Sequence, residues 1–267
     1  MTMRRFKMQT LYEKIDRFYL LDIKNPTHPS MFVEEAAYDI LIVTLPHKDK
    51  ELIVNAHAFV FDDRHYYRYD SVQSVFLELP SMEEVYVYLN EKTNETMKLV
   101  ASIHESIDWM EERLYENKPF TAFMHYWLTY KKDLARIVRL LTLATEVLET
   151  FVQRYIQEEG FLATHFNDIH EHLSRTNRSA LLAIDKLGNL YTFYTSRNNE
   201  RMNKTIYFLT ILSAIFLPLN LVVGYFGMNT QNLPFSTIAS GSEKVTVLLG
   251  LCAGVMIGLI FYLRRKL

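Results

Sequence analysis

The chain has 267 residues, of which 49% are hydrophobic and 22% charged, with a formal net charge of -2. That balance excludes the basic footprint of a nucleic-acid-binding protein, and the length leaves room for one or two folded domains and a further apolar part. The single cysteine, Cys252, excludes an intrachain disulfide and reads as a small packing residue in an apolar run.

The first eighteen or so residues are basic but have no apolar core, so they do not read as a secretory signal. Glu13 and Asp16 argue against a transit peptide, and the N-terminal part is expected in the cytoplasm. From about residue 17, β-branched and aromatic runs predict strands at 18–23, 39–45, 52–61 and 66–69. Pro26, Pro29, Pro46 and Pro80 punctuate them. The expectation is a small α/β domain over residues 1–90.

From Met82 the pattern turns helical, with apolar residues at threes and fours between charges. Asn117-Lys118-Pro119 predicts a break. A second helix is expected over 120–159, stopped by Gly160. A third starts near Ala163 or Phe166 and meets no clear stop before Gly227, with Gly188 a weak point. A helix of about 60 residues is ~90 Å long, too long for a lone small domain. Its two faces differ. Asp185, Asn189, Thr192, Ser196, Asn199 and Asn203 form a polar, mostly neutral stripe; Phe166, Ile169, Leu173, Ala180, Ile184, Leu187, Tyr191 and Tyr194 form an apolar one. The bland reading is a solvated face opposite a packed one. The sharper reading is a polar face lining a wet axis in an oligomer. His165 and His172 share a face, but without a cysteine or an i,i+4 histidine pair they do not make a convincing zinc site with His170. His104 and His125 are isolated.

No residue from Thr205 to Gly227 carries a formal charge, and neither does any from Val245 to Leu263. Runs of about 23 and about 19 apolar residues are each long enough to cross a ~30 Å hydrocarbon layer. The expected division is long helices over 91–204, a first span at 205–227, an outward loop at 228–244 and a second span at 245–263, the last two-span part covering 205–267. Arg197, Arg201 and Lys204 precede the first span, and Arg264, Arg265 and Lys266 follow the second. Basic flanks stay inside, so both ends are expected in the cytoplasm. Gly250, Gly254 and Gly258 share a face that would let a neighbouring helix approach closely, against the plain reading that glycine is common in membrane helices. Pro218 leaves one carbonyl in the first span without its helical partner.

The first span ends in Tyr225-Phe226-Gly227-Met228-Asn229, with Pro234 following and Met202-Asn203 at its start. Here the chain resembles the CorA family of divalent-cation transporters, whose signature is Gly-Met-Asn at the outer end of the first of two C-terminal spans. The specific likeness covers about residues 198–235 and the basic end. It implies an α+β membrane protein built as a homopentameric funnel: a small N-terminal domain, a long helical hairpin, and a very long stalk helix that runs on into the first span. It implies Gly227, Met228 and Asn229 as the selectivity motif, with Asn203, Ile206, Leu209, Ser213, Leu217 and Asn220 facing the pore. The cargo would be Mg²⁺, Co²⁺ or Ni²⁺, or Zn²⁺ in a branch resembling ZntB, and no covalent cofactor is implied. A ring of Asn229 amides would offer neutral oxygens to the water shell of an ion that dehydrates reluctantly. Asn220 stands where the family often has threonine. Residues 230–235 contain no carboxylate, whereas magnesium-type members often have one after the proline.

Intracellular metal sensing in the family uses carboxylates between subunits. Asp168 and Asp185 are candidates, as a regulatory and an axial site, against a plain solvated or ion-paired role. No phosphate-binding loop, nucleophile elbow or HExxH motif is present, so an enzyme or an ATP-driven pump is not expected. A cell (inner) membrane transporter for divalent ions is the leading expectation, with a non-conducting tethered scaffold as the competing one.

Overall fold

Five short strands connected by tight turns need no crossover, and they pair strictly in sequence. β1 (Met31–Glu34), β2 (Asp39–Lys48), β3 (Leu52–Asp62), β4 (His65–Asp70) and β5 (Val75–Leu79) form one antiparallel sheet in the order β1-β2-β3-β4-β5. This computed structural model describes residues 11–49, 51–62, 65–116, 120–228 and 240–266. Two compact units divide the chain, Met1–Thr192 and Phe193–Leu267.

In the first unit the longest pairing is β2 with β3, from Asp39 opposite Phe61 to Lys48 opposite Leu52. Strand β2 is buried from Asp39 through Pro46. A strand covered on both faces has no polar side to alternate with, which is why its sequence is a nearly unbroken apolar run. One face packs Ile40, Ile42, Val60 and Phe76 with Leu11, Ile15 and Ile23. The other carries Leu41, Val43, Phe59 and Phe61, all buried, toward the helices α2 (Met82–Tyr115) and α3 (Phe123–Tyr155).

The expected strand at 18–23 is a helix instead, α1 (Arg17–Lys24). Asp16 caps it by accepting the Phe18 N–H at 2.7 Å, and the Asn25 N–H closes the last turn on Leu21 and Asp22. Its aromatic residues suggested a strand, yet Phe18 is 75% exposed and only Ile23 is buried, so local capping decides the conformation. The edge strands β1 and β5 were not expected. They are short, and most of their residues are only half-covered.

Helix α2 buries Met82, Val85, Leu89, Ile103, Ile107 and Met110 along one stripe, and Glu83 and Glu84 in its first turn suit the positive end of the helix dipole. Gly160, at φ +84°, supplies the left-handed turn that ends the α3 connection. Helix α4 (Ala163–Phe226) follows as a single 64-residue helix containing Pro218. Its buried residues in this unit are Phe166, Ile169, Leu173, Thr176, Ala180, Ala183, Leu187 and Leu190. The expected apolar stripe is therefore buried as far as Leu187, except Ile184, which is half-covered. The polar stripe from Asp185 to Asn203 is exposed throughout. The break expected at Asn117-Lys118-Pro119 lies outside the described residues.

Phe151 is the centre of this packing. It is fully buried, and its ring lies 5.5 Å from Phe32, 5.4 Å from Phe61, 4.9 Å from Tyr155 and 5.4 Å from Phe166. Sheet, α3 and α4 thus share one aromatic cluster, each ring contributing about 1.5–3 kcal/mol by burial. The Tyr155 hydroxyl donates to buried Asp39 at 2.7 Å, and burial followed by that carboxylate pushes the phenol pKa up. The Trp127 indole donates to the Leu187 carbonyl at 3.0 Å and stacks on Tyr191. Lys186 of α4 bridges Asp108 and Glu111 of α2.

In the second unit, α4 continues from Phe193 to Phe226, and α5 covers Gly241–Lys266. Both α4 and α5 contain stretches long and apolar enough to cross a membrane, and the apolar window of α4 is 0% buried.

Candidate functional site

The C-terminal part of α4 is helical because its apolar residues satisfy no other demand: lipid contact requires every backbone N–H and C=O to be bonded within the segment. Its side chains then sort into two faces. Ile211, Ala214, Ile215, Pro218, Leu219, Val222 and Phe226 are half-covered. On α5, Val245, Leu249, Cys252, Ala253 and Met256 are half-covered in the same way. Each set follows threes and fours, the pattern of one packed stripe per helix.

The six residues expected to face a pore lie on the other side. Asn203, Ile206, Leu209, Ser213, Leu217 and Asn220 are all exposed in the single chain, Leu217 at 70%. At about 100° per residue they fall within an arc of roughly 120°, nearly opposite the half-covered stripe. The arc alternates amide and hydroxyl groups with branched apolar ones. Phe216 and Val223 beside the arc, Leu221 within it and Phe208 away from it are also exposed. So are Val247, Leu251, Val255 and Phe261 on α5. Uncovered apolar surface on this scale belongs against lipid or against other chains.

Gly227 ends α4 with its N–H on the Val223 carbonyl at 2.8 Å. A Cβ at this position would stand 3.0 Å from that same carbonyl oxygen. That is tighter than an ordinary Cβ contact, so a side chain here requires the end of the helix to give by a few tenths of an ångström. Met228 is 47% exposed. Asn229 and residues 230–235 lie outside the described residues, and so does most of the outward loop.

The three glycines of α5 do not carry the half-covered stripe. Gly250, Gly254 and Gly258 are exposed and have open space where a Cβ would be. The larger residues Val245, Leu249 and Met256 occupy the covered face instead, with Cys252 and Ala253 as its small members.

The candidate acidic sites are separate. Asp168 is exposed, with its carboxylate 3.3 Å from His172. Asp185 is exposed on the polar stripe of α4. His165 sits edge-on to the Tyr86 ring at 5.0 Å, and His104 lies within 2.9 Å of the Ser179 hydroxyl. Among the described residues no group of three His, Cys, Asp or Glu side chains is placed to hold a metal ion. Sequence reasoning missed a polar cavity between the sheet and α2. Its lining comes from segments far apart in the chain, so no local motif announces it.

Comparison with known proteins places these features. The family described as CorA-like Mg²⁺ transporter protein matches residues 36–265. YfjQ of Bacillus subtilis (strain 168) is 26% identical over 182 residues, 68% of this chain and 56% of YfjQ. The cobalt/magnesium transport protein CorA of Thermotoga maritima is 23% identical over 185 residues, 68% of this chain and 51% of that protein. The chain thus spans about half the length of the curated relatives it matches. Among solved structures, the complete CorA magnesium transporter of Methanocaldococcus jannaschii superimposes with a TM-score of 0.76 at 15% identity, covering 94% of this chain and 85% of that one. At that identity the likeness is one of fold.

Proposed function

We propose that this chain, which belongs to the CorA-like Mg²⁺ transporter family, carries divalent metal cations across the cell membrane through a pore lined by α4. The family is one of transporters rather than enzymes. Copies of the chain, five by the resemblance, assemble with the exposed arc of α4 turned to a common axis and α5 outside. Both termini lie in the cytoplasm and the Gly227 turn lies at the outer mouth.

The observation that carries this reading is the exposed arc itself. Asn203 just before the span, and Ser213 and Asn220 within it, leave three levels of amide or hydroxyl groups uncovered on a helix whose span is otherwise made for lipid. Polar side chains are costly in hydrocarbon and are satisfied by water or a partner helix. Rings of Asn203, Ser213 and Asn220 would solvate a hydrated ion with neutral dipoles, which bind weakly enough to release it. Rings of Ile206, Leu209 and Leu217 between them would gate by excluding water. Asn229 would collect the hydrated ion at the mouth. An inside-negative potential supplies ~2.3 kcal/mol per charge per 100 mV, hence ~4.6 kcal/mol for a divalent ion, so inward flux needs no nucleotide.

Mg²⁺, with Co²⁺ and Ni²⁺, is the first choice of cargo, and the names of the Thermotoga and Methanocaldococcus proteins support it. Proton-coupled Zn²⁺ import is the second reading, favoured by the absence of a carboxylate from residues 230–235. Purified protein in liposomes, given Mg²⁺ or Zn²⁺ at two pH gradients, separates the two. Mg²⁺ flux indifferent to the proton gradient is expected. Zn²⁺ flux driven by protons, without Mg²⁺ flux, overturns the first choice. In the same assay Asn229→Ala should cut flux at least about tenfold. An unchanged rate would leave the non-conducting scaffold as the better account.

A further inference from the structure

A cavity of about 380 Å³ opens between the sheet and α2, lined in part by His47, His57, Arg68, Tyr88, Lys92 and Glu95. It lies within the first unit and shares no residue with α4. Its size falls in the range of small-molecule sites.

The charges around it are unevenly spent. Lys92 is held by Glu95 at 2.6 Å and by Glu91 at 3.4 Å. Asp70, also on the wall, accepts the Val72 and Gln73 N–H groups of its own turn. Among the described residues Arg68 has no such partner. Its guanidinium lies over the Tyr88 ring, 4.2 Å from the centroid, and its Nε is buried with no hydrogen-bond acceptor. Stacking occupies the flat face of a guanidinium and leaves its N–H edges available. A buried donor on a cation is costly when unmatched, and native structures rarely leave one so. Beside it, His57 shares a 3.0 Å hydrogen bond with the Tyr88 hydroxyl. Burial, with Lys92, Arg68 and His47 nearby, pushes its pKa down to about 3. The cavity wall therefore carries the Arg68 guanidinium, a lysine already paired with Glu95 and Glu91, and a neutral imidazole–phenol pair, and no acceptor for the guanidinium is found among the described residues.

We propose that this cavity binds the oxyanion end of a small solute, a phosphate or a carboxylate, on the Arg68 guanidinium. Arg68 gives the paired N–H donors that match two oxygens of one group. Lys92, held by Glu95 and Glu91, stands on the α2 side of the cavity, so an occupant on Arg68 lies between β4 and the helix that begins the long hairpin. The remaining volume takes the body of the solute along Pro26, Ala56 and Val72.

The test uses the full chain in detergent micelles, dialysed to equilibrium against radiolabelled inorganic phosphate and, separately, radiolabelled acetate. One saturable site per chain is expected for at least one probe, and the probe that saturates identifies the oxyanion class. Arg68→Met should weaken that binding at least about tenfold, and Arg68→Lys, which keeps the charge but loses the fork, at least about threefold. The bound anion should also raise the pKa of His57, read from its imidazole resonances, a shift that a purely structural Arg68 would not produce. No saturable binding of either probe up to ~10 mM, or equal binding by Arg68→Met, overturns the proposal. If Arg68→Met fails to fold, an unmoved His57 resonance in the wild-type chain at saturating probe overturns it instead.

Discussion

The two ends of helix α4 present apolar residues at the same spacing and meet opposite fates. From Phe166 to Leu190 the apolar face is buried within the chain's own sheet and hairpin. From Ile206 to Phe226 no residue is fully buried, and a polar-spotted arc is left open opposite a half-covered stripe. Periodicity is therefore a statement about sidedness alone. In the first stretch the partner is already in the chain, and its contribution is folding stability. In the second one stripe is half-covered within the chain, and the open arc, as we propose, meets other copies and a wet axis.

The comparison is broken most severely at Phe151. Phe151→Ala removes the ring shared by sheet, α3 and α4, and should destabilise the first unit by about 3–5 kcal/mol, measured by denaturant unfolding of the detergent-solubilised chain. A loss below about 1 kcal/mol would mean that the aromatic cluster is not the core it resembles. Gly227→Ala tests the other stretch. Its Cβ would crowd the Val223 carbonyl, so ion flux in liposomes should fall about tenfold, or ~1.4 kcal/mol, while the unfolding of the first unit stays put.

The first unit should also respond to acid. His57 has a folded pKa depressed from 6.5 to about 3. The unfolded chain therefore takes up a proton first as pH falls, and the stabilisation present above pH 6.5 is lost progressively toward pH 3. The slope should be on the order of 1 kcal/mol per pH unit at most, and His57→Gln should flatten it in melts run across that window. The smallest effect is expected at Lys186, whose bridge to Asp108 and Glu111 is partly open to solvent. Lys186→Met should cost no more than about 1 kcal/mol and shift the melting temperature by only a few degrees. A larger loss would show that α2 and α4 depend on this bridge rather than on their apolar contacts.

Long periodic segments were legible without any structure. The runs 82–116 and 163–226 repeat their apolar stripe often enough to average out local ambiguity, and Gly227-Met228-Asn229 points to its family because Met202-Asn203, Pro234, a second apolar run and the basic end accompany it. Short segments were not. Residues 18–23 read as a strand because six residues hold too few repeats to separate a strand from a helix, and the cap at Asp16 decided the matter. The glycine stripe of α5 stays exposed within the single chain, while Val245, Leu249 and Met256 carry its half-covered face.

Local order in the chain determined where the long helices run, that two segments suit lipid, and which family the chain joins, because each depends on neighbours a few residues apart. Tertiary structure decided what only distant residues can make: the aromatic cluster around Phe151, the Asp39–Tyr155 bond between β2 and α3, and the cavity where Arg68 of β4 meets Tyr88 and Lys92 of α2. Such sites exist only once burial has fixed separate segments against one another, and no spacing along the chain encodes that distance.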